Sequence, residues 1–140
     1  MLDHDTYVRL CRARDFVAAH YTRRLTLHDA ASVACLSPFH FHRLFSKAFG
    51  ETPHDFQSRL RLKEAQHRLI LDNEPVTEIC FDLGYESLGT FSSRFRRVVG
   101  NSPVNYRRSV RRVFAVPELW RVQMIPFCFV QFYGLAKPQE

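Results

Sequence analysis

The chain has 140 residues, room for one domain or for two very small bodies that share a core element. Its apolar content of 46%, with 13 phenylalanines, is enough to pack a core, and its charge of +6 (20 Lys and Arg against 14 Asp and Glu) favours an anionic partner without naming one. Cys11, Cys35, Cys80 and Cys128 are far apart and form no Cys-x-x-Cys pair, which argues against a disulfide framework or a zinc site and for a reducing, intracellular setting.

The first stretch, Met1–Arg14, carries Asp3, Asp5 and scattered arginines where a signal peptide needs an apolar run. Residues 5–22 read as a helix: Tyr7, Leu10, Cys11, Arg14, Val17, Ala18 and Tyr21 recur at three- and four-residue spacing, and Asp3 or Asp5 can cap it. Thr26 then caps a short helix, Leu27–Ala34, with a face of Leu27, Ala30, Ala31 and Ala34 small enough for another helix to approach closely. After the turn Cys35-Leu36-Ser37, Ser37 caps a longer helix, Pro38 takes its first position and Gly50 stops it. Phe41, Leu44, Phe45 and Ala48 form its buried row, leaving Phe39, His40, His42, Arg43, Ser46 and Lys47 outside.

Pro53 to about Asn73 is a helix of different character. It has a proline at its start, no further Gly or Pro until Pro75, and two apolar faces. At ~100° per residue, Phe56, Leu60 and Leu71 share one side and Leu62, Ala65 and Leu69 roughly the opposite one. Arg59, Lys63 and Gln66 fill one gap, and Arg61, Glu64 and Arg68 the other. Such a helix reads as a spine between two neighbours.

Beyond it the pattern repeats. Thr77–Leu83 is a short helix with Ile79, Cys80 and Leu83 inward, Gly84-Tyr85-Glu86 is the turn, and Ser87–Val99 is the next helix with Leu88, Phe91, Phe95 and Val98 inward. Gly100 stops that helix, and Pro103 opens a last short one to about Arg108. Phe41, Phe45, Gly50, Pro53 and Phe56 recur fifty places on as Phe91, Phe95, Gly100, Pro103 and Tyr106, whereas Ala30, Ala31 and Ala34 match Ile79, Cys80 and Leu83 at forty-nine, so the second turn is one residue longer. Two copies of short helix, tight turn and longer helix on one central helix are two helix-turn-helix units.

A helix-turn-helix sets its second helix in the major groove of duplex DNA, which admits one α-helix. In the first copy Phe39, His42 and Arg43 lie at i, i+3 and i+4 on one face. Arg43 suits a guanine edge, Phe39 a thymine methyl, and Ser46 and Lys47 phosphate oxygens. A metal site on His40 and His42 is not expected, since alternate helical positions point ~200° apart. The second copy has Gly89, Ser92 and Ser93 in the matching places. Around them stand Arg94, Arg96, Arg97, Arg107, Arg108, Arg111 and Arg112, and Glu86 is the one acid in residues 86–112. This copy is expected to lean on the DNA backbone and groove shape. Arg94 stands where the first copy has Leu44 and is expected to swing to the DNA rather than reach Glu78 or Asp82. A spine of ~20 residues is ~30 Å long. Groove openings on one face of B-DNA recur every ~34 Å, so two recognition helices at its ends can read ~20 base pairs.

The stretches LTLHDAASVACLSPFHFHRLFSKAFGETPHDFQSRLRLKEAQHRLI and VTEICFDLGYESLGTFSSRFRRVVGNSPVNYRR resemble the DNA-binding domain of AraC/XylS-type transcription regulators over residues ~5–108. Gly84-Tyr85-Glu86-Ser87, Phe91, Phe95, Gly100, Pro103 and Tyr106-Arg107 carry the most specific part of the likeness. It implies an all-α, seven-helix, bipartite domain: a first helix-turn-helix at about 26–49, a linker helix at 53–73, and a second unit at about 76–99, all within a domain spanning 1–108. It also implies control of transcription, often as an activator contacting RNA polymerase. Ser93 stands where many members carry an arginine, displaced here to Arg94.

No effector domain is expected in the few residues before Tyr7, and on that expectation the chain is similar to the small stand-alone, MarA-like members that bind asymmetric sites as monomers. The tail, 109–140, lies outside the resemblance. Its apolar run Val113–Leu135 is broken by Pro117, Glu118, Arg121 and Pro126 and is not a membrane span. FCFVQFY within it reads as a strand or coil folded back, or as a dimer or polymerase contact.

The candidate DNA-binding set is thus Ser37, Phe39, His40, His42, Arg43, Ser46 and Lys47 with Ser87, Gly89, Thr90, Ser92, Ser93, Arg94, Arg96 and Arg97. Double-stranded DNA is the expected partner, in a cytoplasmic, nucleoid-associated setting, with no cofactor and no metal. An architectural DNA-binding module without regulatory output is the alternative. An enzyme is not expected, because no nucleophile–base pair, Gly-rich phosphate loop or metal cluster stands in the sequence.

Overall fold

The computed structural model describes residues 2–115, with side chains as far as Arg112. Among them are seven helices and no strand: α1 (His4–Ala19), α2 (Leu27–Val33), α3 (Pro38–Phe49), α4 (Pro53–Leu71), α5 (Val76–Asp82), α6 (Leu88–Val99) and α7 (Pro103–Ala115). FCFVQFY lies outside the described residues.

Short polar side chains mark where the helices begin, because the first backbone N–H groups of a helix lack intrahelical acceptors. Asp3 accepts from the Thr6 amide at 2.8 Å. Thr26 and Asp29 exchange reciprocal bonds of 3.2 and 2.8 Å. Ser37, Thr52, Ser87 and Ser102 accept from the amides of His40, Asp55, Thr90 and Asn105. Only α5, entered through Pro75, has no side-chain cap. Gly50 and Gly100 end α3 and α6 at φ 74° and 87°.

The two turns share one geometry despite their unequal lengths. In the first, Cys35 takes the left-handed conformation at φ 54° and the Leu36 amide donates to Ala31 O at 3.1 Å. In the second, Gly84 does so at φ 84° and the Tyr85 amide donates to Cys80 O at 3.2 Å. Each is the helix-ending motif in which a left-handed residue lets a later amide reach back to a free carbonyl.

Two cores result. Leu10, Ala13, Val17, Ala30, Ala31, Ala34, Phe41, Phe45 and Phe56 form one. Leu62, Ala65, Leu69, Ile79, Cys80, Leu83, Tyr85, Phe91 and Phe95 form the other. Helix α4 therefore gives Phe56 to the first body and Leu62, Ala65 and Leu69 to the second. It touches α1 and α3 on one side and α5 and α7 on the other. The duplication extends to the rings: Phe45 meets Phe56 edge-on at 6.0 Å, and Phe95 meets Tyr106 edge-on at 5.5 Å. All four phenylalanines at positions 41, 45, 91 and 95 are fully buried.

The structure departs from the sequence reading at several places. In α1 the buried stripe is Thr6, Leu10, Ala13 and Val17. Tyr7 is largely exposed and leans on Phe49 at the rim. Leu71 is exposed because it lies ~16 Å further along the axis than Leu60, beyond the first body. Leu88 and Val98 are exposed too, so α6 is anchored by Phe91 and Phe95. Helix α7 continues past Arg108 to Ala115, so residues 109–115 of the expected tail extend the last helix.

Side chains from the spine also tie the bodies together. Arg61, in the middle of α4, donates to Tyr21 O at 2.6 Å and Arg23 O at 2.8 Å, both in the α1–α2 link, and to Gly84 O at 3.3 Å in the second turn. Its guanidinium stands 5.5 Å from the Tyr85 ring centre. One turn earlier, Gln57 donates to the same Tyr21 and Arg23 carbonyls at 3.1 and 2.9 Å.

Candidate nucleic-acid interface

Helix α3 is held by Phe41 and Phe45 from beneath, which fixes what its other face presents. Phe39 is 78% exposed, the largest solvent exposure among the large apolar side chains described. His42, Arg43 and Lys47 are exposed beside it, with His40 and Ser46 half-buried. Arg43 Nη2 lies 3.2 Å from His40 Nδ1, so the imidazole braces the guanidinium one turn away. Ser46 Oγ donates to His42 O at 2.8 Å, leaving only its lone pairs outward. Ser37 spends its oxygen on the His40 amide.

Helix α6 presents a different surface. Gly89, Thr90, Ser93, Arg96 and Arg97 are exposed and Ser92 is half-buried. The small residues leave open depressions floored by Gly89 and Ser93 and edged by Arg97, with Arg94 or Arg96 beside it. A Cβ built on Gly89 meets nothing within 4 Å, so no neighbour in the fold demands glycine there. Ser87 accepts from the Thr90 amide and also donates to Thr90 Oγ1 at 2.9 Å, which pins the first turn. Neither α3 nor α6 carries an acidic residue, so neither outward face repels an anion.

Several arginines are not where the sequence suggested. Arg94 neither leaves the body nor reaches Glu78 or Asp82; it donates to Ser58 on α4. Arg68 is the residue that meets Asp82, at 2.9 Å, while also pairing with Glu74. The cause is geometric: Arg94 rises from the flank of α6 that faces α4, lining a groove with Ser58, Arg59, Lys63 and Arg97. Arg107 donates to Leu69 O at 3.3 Å and Glu74 O at 2.5 Å, and Arg111 to Asp72 O at 2.7 Å and Asn73 Oδ1 at 2.9 Å. These two bond to carbonyls in the last turn of α4 and just beyond it, where cations are favoured. Arg96 and Arg97, by contrast, reach into solvent from the last turn of α6.

Sequence reasoning missed Arg61 and Gln57 as clasp residues. Their i, i+4 spacing on the spine was visible, but the carbonyls they meet belong to segments more than twenty residues away. Burial pushes the Arg61 guanidinium below its ordinary pKa, the Tyr85 phenol opposing and the Arg94 charge adding to it. Burial likewise pushes the Cys80 thiol up, away from a reactive thiolate. Among the described residues no group of His, Cys, Asp and Glu is placed to hold a metal ion, and no helix is long and apolar enough to cross a membrane.

Comparison with known proteins points the same way. Residues 30–109 match a family model described as a helix-turn-helix domain. The probable transcriptional regulator LumQ of Photobacterium leiognathi is 30% identical over 97 residues, covering 69% of this chain and 39% of LumQ. The chain spans about two fifths of the length of the curated relatives it matches. The DNA-binding domain of the transcriptional factor AdpA, crystallised in complex with a target DNA, superimposes with a TM-score of 0.70 at 26% identity, over 74% of this chain and 94% of that one. A transcriptional regulator with an AraC-type DNA-binding domain from Chromobacterium violaceum shares the fold, with a TM-score of 0.67 at 24% identity over 77% of this chain and 96% of its own.

Proposed function

The chain belongs to the AraC/XylS-type helix-turn-helix family of DNA-binding domains, and on that premise we propose that it is a sequence-specific transcription regulator whose α3 and α6 read successive major-groove segments of one duplex. What supports the reading is the equivalence of the two halves. Each sets a serine-capped, acid-free helix on a pair of buried phenylalanines, and each is docked against the same helix α4.

The two helices divide the work. Phe39, His42 and Arg43 offer a thymine-methyl contact and donors for base edges, so α3 supplies most of the direct read-out. Gly89, Ser92 and Ser93 let the duplex approach α6 closely, while Arg96 and Arg97 neutralise phosphates and read shape more than sequence. Arg94 remains a candidate only on leaving Ser58. One chain per site and contact with RNA polymerase as the route to output complete the proposal, in a cytoplasmic, nucleoid-associated setting.

Selecting bound duplexes from a random pool tests it. The expected product is an asymmetric site of ~20 base pairs with two protected segments about one helical turn apart, preferred by ~10³-fold or more over random duplex. Equal binding to all duplexes would leave an architectural module in its place, and a single short protected segment would remove α6 from the reading.

A further inference from the structure

Each half has its own core; both draw on α4, and Tyr21 from the α1–α2 link of the first half also packs against the second core. Apolar packing is non-directional, so it restrains how far a body rolls on the rod less tightly than directional bonds do. Arg61 supplies the directional part. Its planar fork holds two carbonyls of the α1–α2 link, in the first half, and one carbonyl of the α5–α6 turn, in the second. No carboxylate of the described residues pairs with it, so these carbonyls and the Tyr85 face are what offset its desolvation. The two backbone segments also touch directly: a Cβ on Gly84 would stand 2.1 Å from Thr22 O and 2.8 Å from Arg61 Nη2. Across the solvent-facing edge of the same junction, Arg24 pairs with Glu86 at 2.9 Å.

We propose that Arg61 is a positioning residue that sets the spacing and rotation at which the two helix-turn-helix units engage DNA. The proposal rests on the two-segment reading above. Arg61 itself touches no DNA; it acts by locking the second turn, and hence the start of α6, to the link that precedes α2. A lysine there keeps the charge but offers one compact donor group in place of the fork and cannot hold three separated carbonyls in plane.

The test uses the duplex chosen by random-pool selection and two derivatives with one base pair inserted or deleted between the protected segments. Each change moves one segment by ~3.4 Å and turns it by ~34° relative to the other. Wild type, Arg61→Ala and Arg61→Lys are titrated on all three, with far-UV circular dichroism confirming helical content. Wild type is expected to lose ~10-fold or more on either derivative. The variants are expected to bind the parental duplex more weakly yet lose no more than ~3-fold on the derivatives, because a loosened junction follows the changed spacing. A folded variant that keeps the wild-type ratio overturns the proposal, and Arg61→Lys decides the matter if Arg61→Ala loses its helices. A wild type indifferent to spacing refutes the two-segment reading itself, a result distinct from the first because it appears without any mutation.

Discussion

Replacing Gly84 with alanine isolates the energy of the close approach between the halves. Among the described residues three glycines sit at positive φ: Gly50 at 74°, Gly84 at 84° and Gly100 at 87°. An added Cβ makes the left-handed conformation unfavourable by roughly 1 kcal/mol at any of them. At Gly50 and Gly100 that is the whole effect, because the new atom meets nothing within 4 Å. At Gly84 it would stand 2.1 Å from a backbone oxygen, which cannot swing aside as a side chain can. The 21–23 link and the turn must separate, and the Arg61 bonds stretch with them. A hydrogen bond from a charged donor contributes ~1.5–3 kcal/mol, so losing one or two on top of the left-handed alanine brings the total for Gly84→Ala to ~2.5–7 kcal/mol. That is a large share of the ~5–15 kcal/mol stability usual for a domain. With ~4 °C per kcal/mol at this size, Gly84→Ala should melt ~10–28 °C below wild type and Gly50→Ala or Gly100→Ala only ~4 °C below. Thermal unfolding followed by circular dichroism measures all three under one condition. Equal melting temperatures for the three variants would show that the Thr22–Gly84 contact gives way without cost, and the argument from close approach would fail.

The remaining predictions concern DNA. Arg43→Ala should weaken the selected site by ~1–3 kcal/mol and relax preference at one base position; a uniform loss on every sequence would make Arg43 a phosphate contact instead. Arg97→Ala should weaken specific and random duplexes alike and make the slope of log K against log salt shallower by ~0.9, a value read from titrations between low and moderate salt. Gly89→Ala should leave the fold unharmed or stabilise it by up to ~1 kcal/mol, since its Cβ enters open space and alanine is the better helix former. The same change should weaken DNA binding by holding the duplex off α6, and unchanged affinity would mean that Gly89 does not lie at the interface.

Much of this molecule was legible before any coordinates. Ser37-Pro38 and Gly50 delimit α3 by local chemistry, an oxygen for orphan amides at one end and a left-handed stop at the other, and neither depends on distant partners. The repeat was readable for a similar reason: Phe41 and Phe45, like Phe91 and Phe95, answer a helical period that is written along the chain. Errors fell where apolar residues had more than one place to go. Leu88 and Val98 continue the period of α6 yet face solvent, because the second body ends at Phe91 and Phe95.

The arginines divide along the same line. Their excess on the second half, and with it the expectation of an anionic partner, is a property of the one-dimensional chain. Which of them remain available for that partner is not. Arg94, Arg107 and Arg111 were drawn inward by Ser58 and by carbonyls at the end of α4, while Arg96 and Arg97 stayed out. Helix caps, periodicity and net charge act over a few residues and so can be read in order along the backbone. The clasp at Arg61 joins carbonyls at 21, 23 and 84 that become neighbours only when two separately packed bodies settle on one rod, and that meeting is decided by three-dimensional packing.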